Sequence, residues 1–161
     1  MNLFALAPTW LMWTLVALLA AAAAEDATRL KISNITVAGV IAAAIAAAAL
    51  YGVAHASWQN ALVFAVLLAG GTMLFARGWV GGGDVKLLAA VGLWCNINVA
   101  LGMLIAVFFS GGILAMIILG LRMFAPATAT SRIMVLRPRS GIPYGIAIAA
   151  GALITLAIQR R

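Results

Sequence analysis

The chain has 161 residues, of which 66% are hydrophobic and 8% charged, with a mean hydropathy of +1.19. Soluble domains carry roughly 25% charged residues, so this composition excludes a soluble enzyme and implies an integral membrane protein. Ten Lys and Arg against three acids give a formal charge of +7, which membrane topology explains without a nucleic-acid partner. The single Cys95 can form neither an internal disulfide nor a four-cysteine zinc site.

Apolar runs fill nearly the whole length, so residues 1–161 are expected to form one integral domain. A spanning helix needs about 20 mostly apolar residues. Five runs qualify in chain order: Leu3 to Ala24, Ile35 to Ala54, Trp58 to Ala76, Val99 to Phe124 and Ile142 to Ile158. Between the third and fourth of these, Val85 to Trp94 is too short alone. Extended back through the glycines to Trp79, it nearly crosses at about 1.5 Å per residue.

Lys and Arg collect in cytoplasmic loops, and parity then decides the count. With six spans and an outside N-terminus, the inside segments hold Arg29, Lys31, Arg77, Lys86, Arg122, Arg132, Arg137 and Arg139, eight of the ten basic residues. Only Arg160 and Arg161 break the rule. With five spans, the Arg-rich connection "APATATSRIMVLRPRSG" would be stranded outside. The fold class is therefore all-α, a polytopic bundle of six transmembrane helices whose fourth is short and glycine-interrupted. The run "LLAAAAAED" resembles the end of a secretory signal, but "MNLFALAPTW" lacks the basic n-region such a signal needs. Alanine-rich "VIAAAIAAAAL" reads as close helix packing through small residues.

On this topology Glu25, Asp26 and Asp84 all fall at the cytoplasmic ends of spans one and four. An ionisable group at the edge of the hydrocarbon is costly and points to function. The plainer reading stays open: Asp84 follows glycines and precedes an apolar helix, as an N-cap does, and Glu25, Asp26, Arg29 and Lys31 together resemble a solvated connection. Two carboxyl groups held close, however, cannot both ionise easily, so one keeps a proton while the other stays charged. Such a pair can hydrolyse a peptide bond without metal or cofactor. Gly81 and Gly83 would let a substrate backbone approach, having no side chain to block it. Acids gathered at one face argue against a small transporter or proton-conducting bundle, the alternative function, because transport needs groups along a path across the bilayer. A non-catalytic scaffold is a third reading.

The stretch "GGGDVKLLAA" contains Gly-x-Gly-Asp at Gly81, Gly83 and Asp84 and resembles the second active-site motif of the type IV prepilin peptidases, membrane aspartic proteases. Asp26 followed by "ATRLKISN" resembles the family's first aspartate with its basic stretch and Ile-Pro-Asn turn. "GIPYGIAIAAG" resembles its terminal helix. The likeness is nearest to the small branch serving tight-adherence (Flp-type) pili. It implies an endopeptidase of the bacterial inner membrane with Asp26 and Asp84 as catalytic dyad, working at the cytoplasmic face. The implied partners are the bilayer, a prepilin with a short leader and an apolar helix, and the pilus assembly machinery. Gly81, Gly83, Lys86 and Asn34 are the candidate substrate-binding positions.

Ser33 stands where the family usually has proline, which predicts a less rigid turn before Asn34. The paired cysteines of the larger members, linked to N-methylation, are missing, so peptidase activity alone is expected. The presenilin-like proteases fit less well, since no Pro-Ala-Leu motif lies near the last span. His55 is placed in an outside loop and Cys95 at a boundary. The five Trp are mostly near span ends, as in an aromatic belt. Lys86 either tunes Asp84 or snorkels as an inside charge, and Pro143 and Tyr144 start the last helix.

Topology is directly testable. In a Cys95→Ser background, single cysteines near Asp26, Arg77 and Arg132 should all be labelled from the cytoplasmic side. Labelling of the Arg132 site from outside would break the six-span arrangement.

Overall fold

The structure, a computed structural model, describes residues 1–50, 57–124 and 141–161. Expectations for Tyr51 to Ala54, for His55, and for the connection carrying Arg132, Arg137 and Arg139 lie outside the described residues. Within them every regular element is an α-helix: α1 Leu3–Leu6, α2 Thr9–Arg29, α3 Asn34–Leu50, α4 Ser57–Ala76, α5 Gly82–Gly92, α6 Ile97–Phe124 and α7 Tyr144–Gln159. Three of them, α2, α4 and α6, are long and apolar enough to cross a membrane. At about 1.5 Å per residue, α3 and α7 reach roughly 25 Å and α5 only roughly 16 Å.

Two expected spans are corrected. The first is not one helix from Leu3 to Ala24: Ala7 is extended, Pro8 precedes α2, and the helix runs on to Arg29. Pro8 has no N–H and disfavours helical backbone in the residue before it, so the chain breaks there. At the other end, the acids do not stop the helix, and Glu25 and Asp26 both lie on it. The fourth expected span starts at Gly82, not Trp79. Residues 77–80 instead turn the chain after α4. Gly78 N–H donates to Phe75 O at 2.8 Å and Trp79 N–H to Leu74 O at 3.1 Å, with Gly78 at φ +75°. This is a Schellman closure, which needs a residue that tolerates the left-handed region.

Short α5 is the central element. Val85, Leu87, Ala89, Ala90 and Val91 are buried, and α3, α4 and α7 pack around it, while α6 packs mainly on α7 and α2 on α7 and α3. Helix α4 buries only Asn60 and Val63 and turns most of its surface outward. In lipid, packing between helices relies on close van der Waals fit of small residues. A Cβ built on Gly92 would lie 2.8 Å from Leu67 Cδ1, one on Gly71 2.6 Å from Val85 Cγ1, and one on Gly151 2.6 Å from the Val107 backbone nitrogen.

The end opposite the acids is closed by polar contacts. The Met1 amino group donates to Asn60 Oδ1 at 2.8 Å, and Asn60 Nδ2 donates to Met1 O and Leu93 O. Arg160 donates to Phe4 O at 3.1 Å and to Ala7 O. One of the two arginines that break the loop-charge rule is thus a structural cap on α1. Trp94 and Cys95 are fully buried. The Trp94 indole donates to Val40 O at 3.3 Å and its ring meets Phe4 at a centroid distance of 6.1 Å. Trp10, Trp13, Trp58 and Trp79 are exposed.

Gly151→Ala should destabilise the protein by on the order of 1–3 kcal/mol, because the added methyl meets α6 backbone that cannot yield by a rotamer change. Gly102, also on a helix, has nothing within 4 Å of a built Cβ. Gly102→Ala should be neutral or stabilising by up to about 1 kcal/mol. Thermal midpoints of the two variants in detergent compare them directly; equal shifts would contradict the packing account.

Candidate active site

The site begins with the end of α2. Successive helical residues point about 100° apart, so neighbours Glu25 and Asp26 must face different surroundings. Asp26 is only 4% exposed. Its Oδ2 accepts the Gly145 N–H from the first turn of α7 at 2.6 Å. Glu25 points to the start of α3, where Oε2 accepts the Ser33 N–H at 2.7 Å and Oε1 the Thr36 hydroxyl at 3.0 Å.

The connection between α2 and α3 is tightly held. Leu30 adopts left-handed backbone at φ +51° and donates its N–H to Asp26 O at 2.9 Å. That conformation costs a residue with a side chain roughly 1–2 kcal/mol. Ser33 Oγ accepts the Thr36 N–H at 3.1 Å, as an N-cap does. The expectation of a looser turn from Ser33 in place of proline is therefore corrected. Proline would have neither the N–H that Glu25 holds nor the hydroxyl that caps α3.

Asp84 is the third residue of α5, two places after the first, and Gly81 occupies the N-cap position. The plain N-cap alternative is thus displaced by three residues: the half-buried Asp84 carboxylate reaches back to the Gly81 N–H, as the acid of a capping box does. A Cβ on Gly81 would lie 2.7 Å from Asp84 Oδ2, and one on Gly83 3.3 Å from Ile32 Cβ. The missing side chains of these two glycines are occupied by the site's own residues.

Asp26 and Asp84 line one cavity of about 250 Å³ together with Leu30, Lys31, Ile32 and Gly81 to Gly83. They are near enough for the charge of one to act on the other. A wider, mostly apolar cavity of about 940 Å³ meets the same two acids and is walled by Phe75, Trp79, Val80, Phe108, Ile142 and Tyr144. Gly81 and Gly83 therefore sit with the aspartates. Lys86 and Asn34 do not line either of these cavities; Lys86 Nζ donates to Asn34 Oδ1 at 3.1 Å, tying α5 to the start of α3 at an exposed edge. Among the described residues no group of three or more His, Cys, Asp and Glu is gathered as metal ligands.

Residues 13–119 match the sequence profile of the type IV leader peptidase family. The chain belongs to this family. No curated protein and no solved structure gives a significant match. Both cavity aspartates of this leader peptidase lie inside the matched region, whereas α7, which supplies the Gly145 donor, lies beyond it. That donor, Ile32 and the role of Glu25 were missed in the sequence. Only the repeated small residues of "GIPYGIAIAAG" signalled a close approach there.

Because Glu25 braces the turn and does not line the cavity, Glu25→Gln should leave the leader peptidase most of its activity. Loss of the charged acceptor should lower stability by about 1 kcal/mol. Peptide cleavage and a thermal midpoint on the same preparation separate the two effects; abolished cleavage at unchanged stability would contradict the bracing role.

Proposed function

We propose that this leader peptidase is an aspartic endopeptidase in which Asp26 and Asp84 activate water to remove the cytoplasmic leader of a type IV, Flp-like prepilin. The observation that carries the reading is the shared cavity: two carboxyl groups from distant parts of the sequence open onto one small polar space. Two such groups share a proton more easily than both ionise. The ionised member takes a proton from water as the oxygen attacks the peptide carbonyl. The protonated member donates to the oxygen of that carbonyl as it gains charge. Collapse of the tetrahedral intermediate breaks the C–N bond, the amine leaves with a proton, and the products are a leader carboxylate and a new amino terminus. No metal or cofactor enters these steps.

In this reading the chain is one domain of six spans, with α5 and the turn before it forming the incomplete fourth. The acids then lie at the cytoplasmic face of the bacterial inner membrane. Among the described residues, Arg29, Lys31, Arg77 and Arg122 fall at or next to helix ends on the acid-bearing side, and Lys86 lies about one turn into α5 from that side, as charges near a cytoplasmic face do. Gly81 and Gly83 border the place where a substrate backbone would lie, and the Lys86 to Asn34 bond holds the rim. The wider apolar cavity suits the start of the prepilin's hydrophobic helix, which must lie beside a scissile bond at the membrane boundary. The released pilin would pass to the assembly machinery. Methylation of the new amino terminus is not part of this proposal.

Asp26→Asn and Asp84→Asn keep shape and remove charge, so each should abolish cleavage of a co-expressed prepilin while the protein still inserts. Mass analysis of the pilin's amino terminus gives the readout. Cleavage surviving in either variant would defeat the dyad.

A further inference from the structure

We propose that Gly145 is a positioning residue for the hydrolysis: its N–H orients the Asp26 carboxylate toward Asp84, and its missing side chain keeps open the space that carboxylate fills. The proposal rests on the reading of Asp26 and Asp84 as the catalytic pair. Gly145 is buried in the first turn of α7, where backbone N–H groups have no partner inside the helix. One of these orphan donors meets Asp26 Oδ2 at 2.6 Å. With Oδ2 so engaged, rotation of the carboxylate is restricted, and its other oxygen has a defined direction relative to the cavity.

Space makes the same residue decisive. A Cβ on Gly145 would lie 2.9 Å from Asp26 Oδ2, 3.0 Å from Asp26 Cβ and 2.9 Å from Ile32 Cδ1. Ile32 Cδ1 is the far end of a flexible side chain and can move. Asp26 Cβ is bonded to the α2 backbone and cannot move without carrying the carboxylate with it. Helix α7 cannot easily retreat either. Tyr144 lies over Gly111 of α6, where a built Cβ would be 2.9 Å from both Cζ and Oη. Ile32 in turn touches the positions of both Gly83 and Gly145, so the turn after α2 is wedged between α5 and α7. A displaced reacting group of about 1 Å is worth about 100-fold in rate.

The test uses the full-length protein in detergent micelles with a synthetic prepilin segment carrying a leader and apolar helix. It compares the parent with Ile32→Val, Gly145→Ala and the double variant, with Asp26→Asn as reference. Ile32→Val, which removes only Cδ1, sets the rate against which the double variant is read. Gly145→Ala should lose about 100-fold in kcat with KM nearly unchanged. The double variant should stay equally slow, because the clash with Ile32 is relieved and that with Asp26 is not. Where Gly145→Ala alone fails to fold, the double variant carries the test.

The pH profile separates positioning from loss of folded protein. Groups facing Asp26 are Asp84 from α5, Lys31 from the turn and Tyr144 from α7, and none of them changes in these variants. Gly145→Ala keeps the backbone N–H, but the added methyl pushes the Asp26 carboxylate away from it; a carboxylate with a weakened donor is less favoured in its ionised form, so the acid limb of residual activity should move to higher pH. A smaller folded fraction lowers the whole curve without moving the limb. Recovery of cleavage in the double variant, an unmoved limb, or near-parental kcat in Gly145→Ala would overturn the role of Gly145. Cleavage by Asp26→Asn would instead overturn the catalytic pair itself.

Discussion

A carboxylate inside an apolar helical bundle has to find hydrogen-bond donors, because no lipid supplies them. Asp26 finds its donor in the first turn of α7, and that single bond joins segments 119 residues apart. Much of the acid-bearing end follows from it. Helix α7 must approach α2 closely enough for backbone to meet side chain, which admits only glycine at Gly145, and the chain leaving α2 must turn at once to avoid the same space. Leu30 makes that turn in a costly left-handed conformation, and Glu25 secures its far side through Ser33 and Thr36.

Glu25 and Asp26 show how one helix separates two neighbouring acids. One is spent on structure, bracing the start of α3; the other opens onto the cavity it shares with Asp84. Were Glu25 shortened, it would not reach Ser33. Were Asp26 lengthened, it would collide with α7. The difference of one methylene therefore has a structural reason on each side, independent of any reaction.

The rest of the bundle makes this arrangement durable by close packing. Gly92, Gly71 and Gly151 let α5, α4, α6 and α7 approach until side chains or backbone fill the missing Cβ positions. At the opposite end, the amino terminus donates to the Asn60 side chain, and Asn60 and Arg160 in turn donate to backbone carbonyls of Met1, Leu93 and Phe4. Short α5 thus lies at the centre, surrounded on several sides, although its length alone falls well below the roughly 30 Å of a hydrocarbon core.

Composition and hydropathy by themselves determined that this is a helical membrane protein, since runs of apolar residues of spanning length have few other uses. Among the described residues, the starts of α3 and α6, the end of α4 and both ends of α7 were legible to within a few residues for the same reason. The Gly-x-Gly-Asp segment and the Asp26 segment were likewise enough to indicate the leader peptidase family, because local motifs survive in one dimension. The break at Pro8 was not read from the sequence, because apolar residues continue on either side of it. What only the tertiary structure decided is which atoms meet. The meeting of Gly145 with Asp26, of Ile32 with two glycines, and of Lys86 with Asn34 depends on how helices far apart in sequence pack. Periodicity and hydropathy describe one helix at a time, whereas these contacts exist only when several are placed together.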